Sequence, residues 1–280
     1  MIIDFHTHIF PPQIKKNRSR YIDSDPCFAI LYSNKAAKLM TADELIASMD
    51  KAGVDVSVVL NIGWTTHELC VETNDYILES ITRYPDRLVG FCSVQPQSLE
   101  AALDEIERCA RGGIKGIGEL RPDMQLLDLC DDEVMKPLVD ILKKYNLILL
   151  THASEPVGHI YPGKGAVTPG VLFPFIAGNP DLTIVCSHWG GGLPFYVLMP
   201  EAKKAMANVY FDTAASPLLY SPRVYEQVVQ LVGADRILFG SDYPLLEQGR
   251  GLKEIKSSNL SEDTIKQILG LNAKKLLGID

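Results

Sequence analysis

The feature that most restricts the fold of this 280-residue chain is a repeating alternation. Eight short runs, at about 2–6, 54–60, 88–93, 115–119, 147–152, 183–187, 208–211 and 236–240, are rich in apolar and β-branched residues, as buried strands are. Stretches of helical periodicity separate most of them. Thr41 to Glu44 has the form of a capping box, with Leu45, Met49 and Ala52 on the apolar side and Gly53 as the stop. Leu99, Ala102, Leu103 and Ile106 share one face before Gly112 and Gly113, as do Val134, Leu138, Ile141 and Leu142. Ser216 and Pro217 open a helix expected to reach Val232, and 263–269 and 273–277 read as closing helices. Eight strands, each followed by a helix, predict a (β/α)8 TIM barrel forming one domain over 1–280. The competing fold is an open doubly wound sheet, which binds ligands only at its switch point.

The ends of the runs decide between the two. His6 and His8 close the first run, Glu119 the fourth, His152 the fifth, His188 the sixth and Asp242 the eighth. The chain has six histidines, and four of them occupy this one kind of position. A closed barrel brings all its C-terminal strand ends to one mouth, which accounts for candidates spread over five runs. Imidazoles and carboxylates converging there suit a divalent ion. Zinc is expected first, as one or two ions, with manganese, iron and nickel compatible with the same mixed donors. Glu119 is expected as a ligand, because a carboxylate at a strand end is costly to bury unpaired.

The remaining polar residues divide by position. Asp4, by strand alternation, is expected to share the inward face with His6 and His8 and to orient one of their rings. Asp212 is read either in that role or as a cap. Arg121 is a candidate for a substrate carboxylate, with an ion pair to Asp123 as the plain alternative. His159, in the Pro- and Gly-rich segment 153–169, and Trp189, just past a strand end, are candidates for substrate contact; packing of the barrel rim is the alternative for Trp189 and for Trp64. His67 is expected to be a solvated polar residue, and the basic run Lys15, Lys16, Arg18 and Arg20 a solvated loop. The long segments 11–40 and 153–169 should form walls of the mouth.

The net charge of −8 lacks the basic excess that phosphate neutralisation requires, so no nucleic-acid partner is expected. Six scattered cysteines without a CxxC pair are not a disulfide framework, and Cys92 and Cys186 read as reduced core residues. No run approaches the length of about 20 residues that spans a bilayer. The absence of a cationic leader gives a cytoplasmic expectation, and a homodimer is the default assembly.

Asp4–His8, Thr151–His152, Ser187–Phe195, Asn208–Asp212 and Asp235–Pro244 together resemble the amidohydrolase superfamily, most closely its branch similar to aminocarboxymuconate-semialdehyde decarboxylase. The resemblance runs from residue 2 to about 244. It implies metal binding by His6, His8, His152 and Asp242, with His188 either a ligand to a second metal or an acid/base beside a single one. Glu119 departs from the one-metal decarboxylase pattern and is more like the glutamate of the TatD-like nucleases. The leading expectation is a hydrolase acting on a small ester, lactone or amide through metal-activated water. In it, Asp242 takes the proton and His188 stabilises developing charge. The alternatives are a non-oxidative decarboxylase of a small carboxylate and a non-catalytic metal-binding protein.

Overall fold

The computed structural model describes residues 1–279. Eight parallel strands follow in chain order: β1 (Ile3–His8), β2 (Val56–Leu60), β3 (Leu88–Cys92), β4 (Gly116–Leu120), β5 (Ile148–Thr151), β6 (Ile184–Cys186), β7 (Val209–Asp212) and β8 (Ile237–Leu238). Each pairs in parallel with the next. The eighth run makes a strand of two residues rather than five, because the chain past Leu238 turns to close the barrel on β1. There Phe5 N–H donates to the Phe239 carbonyl (2.7 Å), Asp242 N–H to the His6 carbonyl (3.0 Å) and His8 N–H to the Tyr243 carbonyl (2.7 Å). The expected (β/α)8 barrel is the architecture.

The apolar residues form two shells. Phe5, Val58, Phe91, Leu150, Val185 and Leu238 fill the barrel interior, with Phe5 and Phe91 edge to face at 5.7 Å. Leu45, Met49, Ile77, Ile106, Leu138 and Leu172 seal the helices onto the outside of the strands. Burying one such side chain contributes about 1.5–3 kcal/mol, so the interior holds the strand ends fixed for the site above.

Strand pairing slips at two informative places. The pairing of β1 with β2 slips between Asp4 and Thr7. Phe5 therefore faces the interior with Phe91, and His6 and His8 follow it toward the mouth. Asp4 does not join them. Its carboxylate lies on the opposite side, accepting from Ser241 N–H (2.9 Å), Ser241 Oγ (2.6 Å) and Gln248 Nε2 (2.9 Å). A second slip lies in β4 between Ile117 and Leu120, just where Glu119 turns inward. Both irregularities sit on strands that end in a candidate ligand.

The capping box at Thr41 forms as expected, with Thr41 N–H donating to Glu44 Oε2 (2.8 Å). Two helix expectations change. The helix opened by Ser216 breaks into Ser216–Leu219 and Arg223–Val232, because Pro222 has no N–H to continue the first piece. The segment 11–40 carries three short helices, Pro12–Lys16, Arg18–Ser24 and Pro26–Tyr32. The last is capped by Asp25, which accepts from Phe28 N–H (2.8 Å). Pieces of five to seven residues are too short to display a helical period. They carry an aromatic cluster in which Trp64 stacks on Phe28 at 5.3 Å, so Trp64 packs the rim. Cys92 and Cys186 are buried free thiols. Among the described residues no helix is long and apolar enough to cross a membrane.

Candidate metal centre

The six expected donors meet at the mouth, all buried. His6, His8 and Glu119 offer ligand atoms within 4.8 Å of one another, and so do Glu119, His152 and His188. Asp242 completes the first group, with Oδ1 3.3 Å from His8 Nε2 and 3.8 Å from His6 Nε2.

Hydrogen bonds aim these side chains. Asp212 Oδ2 accepts from His6 Nδ1 at 2.8 Å, which leaves His6 Nε2 as a lone pair facing the mouth. The other oxygen of Asp212 accepts from the backbone N–H groups of His188 (2.8 Å) and Ala214 (3.1 Å). One carboxylate thus sets two of the candidate ligands, and it is Asp212 rather than Asp4 that holds the His6 ring. His188 Nδ1 donates to the Ala214 carbonyl at 3.1 Å, so its Nε2 lone pair faces Glu119 Oε1, 3.5 Å away. His152 Nδ1 lies 3.0 Å from the same Glu119 oxygen, and its Nε2 lies 3.0 Å from Ser154 Oγ. Ser154 Oγ also accepts from Gly165 N–H at 2.9 Å, tying the long β5 segment to the site. Ser154 escaped the sequence reading; its one signal was its position two residues past His152.

This arrangement fits a divalent cation. His6 Nε2 faces His8 Nε2 at 3.1 Å with Asp242 Oδ1 beside them, so three atoms able to ligate a cation converge on one point. In the metal-free protein, protons take its place. Burial opposes charge on His6, but Asp212, Glu119 and Asp242 outweigh it and push its pKa up to about 10. Burial likewise opposes charge on His188, but contact with Glu119 and the nearby carboxylates push it up to about 9. Burial alone would raise Glu119 and Asp242. The facing histidines nevertheless hold Glu119 well below the usual carboxylate range and lower Asp242.

Strained backbone supports the aim. His188, Trp189 and Asp242 adopt left-handed conformations, with φ of 55°, 58° and 65°. In the glycine run that follows, a Cβ at Gly191 (φ 60°) would lie 2.3 Å from the Ser154 carbonyl oxygen. Glycine there lets the loops bearing His152 and His188 touch.

The three substrate candidates fare differently. Arg121 is buried beside the centre. Its Nη2 donates to the Gly163 carbonyl (2.9 Å), and its Nε lies 3.6 Å from Asp123 without a hydrogen bond. Gly63 makes room for it, since a Cβ at that position would lie 2.5 Å from the Arg121 Cβ. Trp189 points into the core instead of the pocket: it is fully buried, packs against Tyr225 and donates to Ser216 Oγ at 2.9 Å. Its left-handed backbone turns the ring away from the mouth. His159 is exposed and packs on Tyr161, outside the cluster. His67 begins the helix His67–Arg83 and is only half-buried.

The amidohydrolase family profile matches residues 3–279, and the chain belongs to that family. Barrel, buried His/Asp/Glu mouth and family together define an enzyme with a divalent-metal site. The relatives are more particular. A 2-amino-3-carboxymuconate-6-semialdehyde decarboxylase from Dictyostelium discoideum is 23% identical, over 99% of this chain and 92% of its own length. A γ-resorcylate decarboxylase from Rhizobium radiobacter is 23% identical, over 76% of this chain and 77% of its own. The solved structure of a 5-carboxyvanillate decarboxylase from Novosphingobium aromaticivorans, complexed with manganese and a nitrobenzoic acid, has the same fold. Its TM-score is 0.80 at 20% identity, covering 100% of this chain and 96% of that one. These relatives overturn the expectation of an ester, lactone or amide hydrolase: both curated relatives and this solved neighbour are named as decarboxylases. The physical reason is that a mouth of histidines and carboxylates around a metal serves either chemistry. The sequence motifs describe the mouth and not the bond it breaks. Zinc is likewise not singled out, since the solved neighbour holds manganese.

Proposed function

We propose that this enzyme is a metal-dependent, non-oxidative decarboxylase of a small aromatic or conjugated carboxylate. The observation that carries the reading is the match of 99% of this chain to 92% of a decarboxylase. His6, His8 and Asp242 would hold the catalytic ion, manganese or zinc, which supplies positive charge to hold and polarise the substrate oxygens. Loss of carbon dioxide breaks the bond between the carboxylate and its carbon and leaves the electron pair on that carbon. One proton, drawn from solvent, must then reach the carbon. Asp242 is the proposed carrier: its Oδ1 is turned to His6 and His8, leaving the second oxygen outside that contact. Arg121, buried with an unpartnered Nε, would orient the substrate anion.

The test is direct. The full chain, loaded with Mn2+ or Zn2+, is incubated with γ-resorcylate, 5-carboxyvanillate and related hydroxybenzoates, and carbon dioxide release is measured. In deuterated water the product should carry one deuterium at the carbon that lost the carboxylate. Metal-loaded protein that releases no carbon dioxide from any of these, or that returns products with the carboxylate intact, overturns the reading.

A further inference from the structure

We propose that Tyr32 is a specificity-determining residue of the mouth, its hydroxyl donating a hydrogen bond to a ring oxygen, hydroxyl or phenolate, of an aromatic substrate. The inference rests on the decarboxylase reading for the substrate's carboxylate and deepens it, because it names a second group that the substrate carries.

Tyr32 closes the helix Pro26–Tyr32, on the wall of the mouth that follows β1. That helix is pinned at its start. Asp25 Oδ1 accepts from Phe28 N–H, while Oδ2 accepts from Thr65 N–H (2.8 Å) and Thr65 Oγ1 (2.7 Å) on the loop after β2. The ring at the other end is held by packing. It meets Phe10 edge to face at 5.2 Å and lies tilted on Phe28 at 4.8 Å, and only 8% of the residue is exposed. Aromatic contacts on two sides fix the plane of a ring, and with it the direction of its hydroxyl.

Packing accounts for the ring but not for the hydroxyl, since phenylalanine would fill the same space. Among the described residues the hydroxyl makes no hydrogen bond, yet it is not walled in as Trp64 Nε1 is in the same aromatic cluster. A buried phenol ordinarily has a partner for its O–H. The charged groups that act on this one belong to the mouth: Asp242 most strongly, then Glu119, with the Arg18 cation weaker. Burial and these two carboxylates hold the phenol above its usual range, so it stays protonated and is a standing donor. The atom it selects on a ligand is an acceptor.

Arg121, proposed above to orient the substrate anion, marks the far end of the span. Its guanidinium acts on the buried thiol of Cys27, the second residue of the same helix. Cys27 and Tyr32 lie about 7.5 Å apart along the helix axis. A carboxylate at Arg121 and an acceptor at Tyr32 are therefore separated by about the length of a substituted benzene ring. That spacing suits a hydroxy-substituted aromatic acid and not a short aliphatic one.

The test compares two ligands on three proteins. The full chain loaded with Mn2+ is titrated calorimetrically with 2-nitroresorcinol, which has ring hydroxyls and no carboxylate to lose, and with benzoate, which has no ring hydroxyl. Tyr32→Phe removes only the hydroxyl. It should weaken 2-nitroresorcinol by at least about 10-fold, as loss of a hydrogen bond to a charged oxygen does, and leave benzoate unchanged. Tyr21 belongs to the same aromatic cluster but donates to Glu72 at 2.7 Å, so Tyr21→Phe should bind both ligands as wild type does. Mn2+ content and melting temperature should match wild type in Tyr32→Phe. Equal binding of 2-nitroresorcinol by Tyr32→Phe and wild type overturns the proposal, as does an equal loss for both ligands. Lost Mn2+ in Tyr32→Phe overturns it too, because the hydroxyl would then act through the metal. So does a wild type that binds neither ligand. Binding is read without turnover. A Tyr32-dependent preference in a protein that releases no carbon dioxide leaves this proposal standing and sinks the decarboxylase reading; carbon dioxide release without that preference does the reverse.

Discussion

At the scale of the residue, the site is a set of ordinary side chains given unusual settings by their neighbours. In the proposed function Asp242 would join two roles, metal contact and proton carriage, and Asp242→Asn keeps the size while removing the charge and basicity. General acid–base catalysis is worth about 10²- to 10⁴-fold, so this variant should lose at least about 10²-fold in kcat while retaining metal. Turnover near wild type would remove Asp242 from the proton path. Asp212 touches no substrate in this scheme and acts through His6 and His188. Loss of such an orienting carboxylate typically weakens metal binding about 10- to 100-fold. Asp212→Asn should show this in competition with a chelating dye, and an affinity unchanged from wild type would reduce Asp212 to a structural group. The histidines give a pH prediction with a definite sign. In the metal-free protein His6, near 10, and His188, near 9, are protonated at neutral pH. Metal must displace these protons. Binding at neutral pH should therefore release protons, seen as a calorimetric heat that varies with the buffer's ionisation enthalpy, and affinity should rise with pH. The raised values also stabilise the metal-free fold below the ordinary imidazole value of 6.5, a contribution lost as pH rises through about 9 and 10.

At the scale of the element, the strands are regular except where they deliver a ligand. The slips in β1 and β4 span His6 and Glu119, and a left-handed turn follows β6 at His188. The loops after β5 and β6 then lock by backbone contact at Gly191 and Ser154. Gly191→Ala places a methyl against a carbonyl in a left-handed conformation, a class of strain worth about 1–3 kcal/mol. It should lower both the melting temperature and metal affinity. Gly113→Ala is the control: its φ is also positive, at 96°, but nothing lies within 4 Å of the added methyl. That variant should lose some stability and keep its metal affinity. Equal metal affinity in the two variants would show that the loop contact does not position the ligands.

At the scale of the whole molecule, the barrel gathers carboxylates and imidazoles from strands distant in the chain into one buried mouth, a set of donors that the unfolded chain does not assemble. The metal is then part of the folding equilibrium. Free metal at about 1,000 times its dissociation constant stabilises a protein by about 4 kcal/mol per site. Chelation should lower the melting temperature by several degrees and Mn2+ should restore it. A melting curve indifferent to metal would mean that the donors do not bind it in the folded state.

How much of this was legible in the sequence follows from which interactions are local. The alternation of strands and helices, the Thr41 cap and the placing of six donors at strand ends are written in short-range periodicity, so the barrel and its mouth could be read directly. Asp4 could not be placed, because the slip in β1 depends on its pairing with β2. Trp189 read as a pocket residue because the left-handed turn it shares with His188 leaves no mark in the sequence; the His188 N–H is held by Asp212, 24 positions away in the chain. Ser154 had no motif, and its role depends on Gly165 N–H folding back over it. The sequence by itself determined which strand ends carry imidazoles and carboxylates to the mouth. The tertiary structure decided which way each one faces, because hydrogen bonds between strands distant in the chain set a ring's tautomer and a carboxylate's direction.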